Sequence, residues 1–101
     1  MRGVESIYDE KFGHVIRILL TLLQYEKQWG KPPTVSELKE EARVAGTAFY
    51  SHLKRNLEKA GWVEFRVNPD RTITAHLTPK GRKLAEALKQ AEDILKEAGV
   101  I

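Results

Sequence analysis

The chain has 101 residues, of which 42% are hydrophobic and 31% charged, with no cysteine and a formal net charge of +3. That length supports one small core and leaves little room for a deep enclosed catalytic cleft, so a binding module is favoured over an enzyme. Without cysteine there is no disulfide frame, thiolate metal site or thiol nucleophile.

No signal-type apolar run follows Met1 to Ser6, and the apolar stretch 15–23 carries Arg17 and is too short to span a bilayer. The expectation is a soluble, cytoplasmic protein with no membrane partner, built as a single domain.

Residues 1–8 are expected to be a flexible lead into a first helix from about Asp9 to Trp29, stopped by Gly30 and Pro32-Pro33. Phe12, Val15, Ile16, Leu19, Leu22 and Leu23 follow helical spacing and predict a core face. Ile18, Tyr25 and Trp29 fall on a second flank and Leu20 on another, which is more apolar surface than one small core is expected to cover.

Thr34-Val35-Ser36-Glu37 fits a capping box for a short helix through about Ala42, with Leu38 and Ala42 inward. The chain is expected to break at Val44-Ala45-Gly46, and a second helix to begin near Thr47. In it Phe49, Leu53 and Leu57 point inward, Tyr50, Ser51, Lys54 and Arg55 point outward, and Gly61 is the left-handed terminator.

From Trp62 the period changes to two. Val63, Phe65 and Val67 share a face, and Ile73, Ala75 and Leu77 match it across Asn68-Pro69-Asp70-Arg71, so 62–77 reads as a hairpin with Arg71 at its tip and Arg66 outward. Thr78 can cap a last helix with Pro79 at its first position, running to about Ala98 before Gly99. In that helix Leu84, Leu88, Ala91, Leu95 and Ala98 repeat at spacings of four and three, the seam of helices that pair lengthwise. The seam and the surplus flank of the first helix predict a homodimer, with Ile18, Leu20, Tyr25, Leu88, Ala91, Leu95 and Ala98 at its interface.

Charge is segregated along the chain. Residues 1–42 hold six Lys/Arg against seven Asp/Glu and residues 83–101 three against four, so each is −1. Residues 43–82 hold eight against three, giving +5. A positive segment coinciding with the second helix and the hairpin is the electrostatic footprint of a nucleic-acid binder.

The order of elements resembles the winged helix-turn-helix fold, an α+β and mainly helical architecture, over nearly the whole chain. The local motifs resemble those of MarR and PadR type regulators and of small archaeal and viral winged-helix proteins. The motifs are Thr34-Val35-Ser36-Glu37-Leu38, Phe49 to Arg55, Leu57 to Val63, and Leu77-Thr78-Pro79-Lys80-Gly81-Arg82. Two departures stand out. Ala45 occupies the position where Ser, Thr or Asn would cap the helix, a loss of about 1 kcal/mol, so either Thr47 takes that role or the turn is irregular. Leu57 follows Leu53 by four residues where many relatives use three.

The resemblance implies a helix entering the major groove of double-stranded DNA. Thr47, Tyr50 and Ser51 would offer hydroxyls to base edges, Lys54 and Arg55 would meet phosphate or guanine, and Arg66 and Arg71 of the wing would reach backbone or the adjacent minor groove. Thr34 and Ser36 would place amides on a phosphate.

His14, His52 and His76 lie on three elements without ligand spacing, so neither metal nor cofactor is expected, and no phosphate loop or catalytic set is present. Three functions follow from this reading: a dimeric sequence-specific transcription regulator, an architectural DNA binder of low specificity, or a protein-interaction module. No residue identifies an effector pocket.

Overall fold

A computed structural model describes the backbone of residues 2–101 and the side chains of residues 11–101. Helix α1 spans Arg2–Trp29, α2 Val35–Ala42, α3 residues 46–59, strand β1 Val63–Val67, β2 Ile73–Leu77 and α4 Pro79–Glu97. The architecture is mainly helical, with one antiparallel hairpin pairing Val63 with Leu77, Phe65 with Ala75 and Val67 with Ile73. This is the winged-helix arrangement. Helix α1 starts at Arg2, well before Asp9, because its backbone hydrogen bonding continues through the stretch expected to be a lead-in.

Capping explains most of the boundaries. The Glu37 amide donates to Thr34 Oγ1 (3.1 Å) and the Thr34 amide to Glu37 Oε1 (2.9 Å), so the capping box is formed in full. Thr78 accepts from the Gly81 amide and Pro79 opens α4. The residue at the end of each helix takes a left-handed backbone: Gly30 (φ 62°), Arg43 (φ 57°), Gly61 (φ 76°) and Gly99 (φ 75°). The break expected over Val44-Ala45-Gly46 falls one residue earlier, over 43–45, and Gly46 is the first residue of α3.

Helix α3 is not uniform. Gly46–Ala48 and Lys54–Lys59 are α-helical, but Phe49–Leu53 forms a π-helical turn, closed by the Lys54 amide on the Phe49 carbonyl. The sequence shows the reason. Phe49, Leu53 and Leu57 recur every four residues, and in a helix of 3.6 residues per turn each such step overshoots the inward face by about 40°. A wider turn between the first two cancels the drift, so Phe49, Leu53 and Leu57 are all buried. The four-residue spacing thus introduces a wide turn.

The core sits between α1, α2, α3 and the inner face of the hairpin, with Ile18, Leu19, Leu38, Phe49 and Leu57 almost fully enclosed. Helix α1 packs on α4, α2 and β2 at once. Three neighbours cover more of its circumference than the sequence suggested. Ile18 (0% exposed) and Tyr25 (7%) are consequently core residues of this chain, which corrects their assignment to a partner surface, whereas Phe12, expected inside, is 52% exposed.

An isolated β-bridge precedes α2. Thr34 bridges Thr74, and the Ala75 amide donates to the Pro33 carbonyl (3.0 Å), so the hairpin is fastened to the start of α2.

Candidate nucleic-acid interface

Helix α3 begins without a side-chain cap. Ala45 is the N-cap, in extended backbone (φ −63°, ψ 145°), and its carbonyl accepts the first helical bond from Phe49 (2.9 Å). Thr47 lies inside the first turn, exposed, and does not take the capping role.

The outward side chains of α3 fan towards three neighbours. Tyr50, 57% exposed, stands edge-on to Phe49, with Lys39 of α2 over its ring at 4.7 Å. Ser51 is exposed and its hydroxyl lies 3.4 Å from the Ala48 carbonyl of its own helix. Lys54 turns towards the wing: its Nζ lies 4.7 Å from the Phe65 ring and 3.2 Å from Glu58 Oε1. Its expected outward direction is corrected by that packing, since an aromatic face and a carboxylate one turn away hold the ammonium along the protein surface. Arg55 is exposed and has no ion pair or hydrogen bond among the described residues.

With His52 and Ser51, Arg55 borders a groove of about 530 Å³ between α3 and the Lys11, His14 and Val15 stretch of α1, with Trp62 at its end. His14 and His52 share this groove, a proximity that their separation in sequence does not reveal.

On the wing, Asn68 and Thr72 close a three-residue loop, Pro69-Asp70-Arg71, through the Asn68 amide on the Thr72 carbonyl (2.8 Å). Arg71 adopts φ 71°, the left-handed residue that ends such a loop and that glycine usually fills. Asp70 accepts from both the amide and the hydroxyl of Thr72, which keeps its carboxyl below the usual carboxylate range. These hydrogen bonds tie the turn together, and Arg71 is exposed on it and unpaired among the described residues.

Arg66 behaves differently. Its Nε donates to Glu64 Oε1 (2.6 Å) on the same face of β1, and that contact lowers the Glu64 carboxyl. Across the hairpin, burial and then the Arg66 charge push His76 below its ordinary value, while Thr74 Oγ1 lies 2.8 Å from His76 Nε2.

The Leu-Thr-Pro-Lys-Gly-Arg motif is a junction rather than a contact surface. The Thr78 hydroxyl donates to the Gly61 carbonyl, the Thr78 amide to the Trp62 carbonyl (3.1 Å), and Lys80 Nζ to the Ala60 carbonyl (3.0 Å). Arg82 makes a two-pronged pair with Glu26 of α1 (2.6 and 2.7 Å). The motif therefore clamps the end of α3 to α4 and α1, and Arg17 adds a further tie by donating to the Ala42 carbonyl at the end of α2 (2.8 Å).

Of the eight cations in the positive segment, Lys54, Arg66, Lys80 and Arg82 are thus engaged within the fold. Arg43, Arg55, Lys59 and Arg71 remain exposed and unpaired among the described residues. Sequence reasoning counted Arg43 and Lys59 as charge but gave them no role, and their exposure was the missing signal. Thr34 uses its amide and hydroxyl on Glu37, and the Glu37 carboxylate occupies the same helix start, which opposes a phosphate there. Ser36 is exposed beside it.

Of the positions assigned to a partner face, Leu20 and Leu88 are half-buried, and Ala91, Leu95 (42%) and Ala98 are exposed, with Ile94 beside them. Among the described residues no cluster of His, Asp or Glu could hold a metal ion, and no helix is long and apolar enough to cross a membrane.

Known structures share this architecture. AF1382 from Archaeoglobus fulgidus is 26% identical, with a TM-score of 0.67 over 80% of this chain and 86% of that one. MepR, a transcription regulator of the Staphylococcus aureus multidrug efflux pump MepA, is 25% identical with a TM-score of 0.63 over 82% of this chain. That alignment spans 62% of the MepR chain, so a sizeable part of MepR has no counterpart in it. MepR in its complex with DNA also matches, at 21% identity and a TM-score of 0.66 over 97% of this chain and 82% of that one, a likeness of fold alone. No curated protein sequence matches the chain. The family model of the ArnR1-like winged-helix domain matches residues 5–95, and the chain belongs to that family.

Proposed function

We propose that this protein is a dimeric, sequence-specific double-stranded DNA-binding transcription regulator, acting in the cytoplasm without catalysis. Helix α3 enters the major groove with Thr47, Tyr50, Ser51 and Arg55, and the wing tip places Arg71 on the backbone or the adjacent minor groove. The observation that carries the reading is the pair of arginines unpartnered among the described residues, Arg55 on the exposed face of α3 and Arg71 at the tip of a hydrogen-bonded turn. Both could have been neutralised within the fold, as Arg66 and Arg82 are. Similarity to a transcription regulator, and to its fold in a DNA complex, supports the same conclusion.

The engaged cations refine the assignment. Lys54 supports the wing and supplies at most a secondary phosphate contact, and Arg66 is held by Glu64. Dimerisation uses the exposed distal face of α4, Ala91, Leu95 and Ala98, with Leu88 and Leu20 at its edge.

Binding to a selected duplex and to random duplex across a salt series tests the proposal. Affinity falls linearly in log salt, with a slope of about −0.9 per phosphate neutralised. Tyr50→Ala and Arg55→Ala each cost about 1–3 kcal/mol on the selected duplex and less on random DNA. Equal losses on both would reassign the protein to architectural binding, and no binding to any duplex at low salt would leave a protein-interaction module.

A further inference from the structure

We infer that Arg43, at the turn between α2 and α3, is a phosphate-contacting residue of the DNA interface; the inference rests on the DNA-binding reading above. Three helices of this chain end in the same hydrogen-bond pattern. At α3 the Trp62 amide reaches the Leu57 carbonyl and the Gly61 amide that of Glu58. At α4 Val100 reaches Leu95 and Gly99 reaches Lys96. At α2 Val44 reaches Lys39 (3.0 Å) and Arg43 reaches Glu40 (3.2 Å).

The pattern needs one residue in the left-handed region, which a side chain disfavours. Twice the chain supplies glycine, and Gly30 fills the equivalent place at the end of α1. Only at α2 does a side chain stand there, and it is an arginine.

That arginine gives the fold little in return. Arg43 is exposed and makes no ion pair or side-chain hydrogen bond among the described residues, although Glu40 and Glu41 lie within three positions of it. Neutralising the acidic run of α2 would have brought the guanidinium onto one of those carboxylates. A cation beside the carbonyl end of α2 is favourable, yet Arg17 already donates to the Ala42 carbonyl there.

The position also has a counterpart across the site. Among the described residues Arg43 and Arg71 are the only non-glycine residues with positive φ. One immediately precedes α3 in the chain and the other crowns the wing, so each of the two segments proposed to meet DNA carries an exposed guanidinium that is unpaired among the described residues. Phosphate is the ligand such groups fit: a guanidinium offers a planar fork of donors, and phosphates line both edges of the groove that α3 would enter.

The test uses the full chain and duplex DNA over a salt series, with Arg43→Gly, which suits the left-handed backbone, and Arg43→Gln, which keeps a side chain there without the charge. Both are expected to weaken binding about fivefold to tenfold at 0.1 M salt, alike on selected and random duplex, and to reduce the log–log salt slope by about 0.9 per protomer. Arg43→Lys retains the slope. Arg43→Gly is expected to melt no lower than the parent chain.

Unchanged slopes for the glycine and glutamine variants, on a duplex whose binding Tyr50→Ala still weakens, would overturn the role of Arg43 and leave the DNA-binding reading standing. Absence of any salt-dependent duplex binding by the parent chain would remove both.

Discussion

Gly81 lies directly against the Trp62 carbonyl: a Cβ at Gly81 would sit 1.9 Å from that oxygen and 2.8 Å from its carbon. Here the first turn of α4 crosses the chain leaving α3, and the amide of Thr78 bonds the same carbonyl (3.1 Å). Because the obstructing atoms are backbone, no rotamer change relieves the clash. Gly81→Ala is expected to cost about 3 kcal/mol. At roughly 4–8 °C per kcal/mol, that lowers the melting midpoint by about 12–24 °C. A melting point near that of the parent chain would show that α4 can lift away from α3 without loss.

Arg71 sets stability against binding. Its left-handed backbone at the wing tip is one that glycine adopts freely, so Arg71→Gly should stabilise the fold by about 0.5–1 kcal/mol while weakening DNA binding equally on selected and random duplexes. Thermal melts and binding isotherms on one preparation check both halves. A destabilised variant would mean that the arginine side chain supports the turn.

Stability should fall on acidification in two stages. Burial and the Arg66 charge hold His76 below the ordinary histidine value of about 6.5, so the unfolded chain takes up the proton first. The His76 contribution is complete above that pH and declines as pH falls through it. Glu26, lowered chiefly by its hydrogen bond to Arg82, and Glu37, lowered by the Thr34 amide, contribute fully above about 4.5 and lose that contribution below it. Denaturant titrations across pH should show His76→Gln removing the first decline and Glu26→Gln reducing the second. A first decline that persists in His76→Gln would place its origin elsewhere.

Leu95 is 42% exposed, so Leu95→Glu should alter the stability of an isolated chain by less than about 0.5 kcal/mol. On a dimer seam the same change buries a charge. Sedimentation at micromolar concentration is expected to give a dimer for the parent chain and a monomer for this variant. A parent chain that sediments as a monomer would return α4 to purely intramolecular packing.

Local signals in the sequence were sufficient for much of this architecture. The capping box at Thr34 and Glu37, the Thr78-Pro79 start of α4, the glycines that end α1, α3 and α4, and the matched faces of Val63, Phe65, Ala75 and Leu77 depend on neighbours a few residues away or on a period of two. The π-helical turn in α3 was foreshadowed by the four-residue spacing of Phe49, Leu53 and Leu57, and its form came from packing those residues on one core.

What the sequence alone determined, then, is the order and type of the elements and the place where positive charge accumulates, because helix caps, hairpin faces and charge are properties of short segments. Which cations remain free was decided only by the tertiary structure. Arg82 meets Glu26 across 56 positions, Arg17 the Ala42 carbonyl across 25 and Lys80 the Ala60 carbonyl across 20, while Lys54 is drawn onto Phe65 of the wing. Likewise Ile18 and Tyr25 became core because α2, α4 and β2 converge on α1. Pairing and burial depend on which segments meet, and that leaves four of the eight cations of the basic segment unpaired among the described residues, with Arg43 among them.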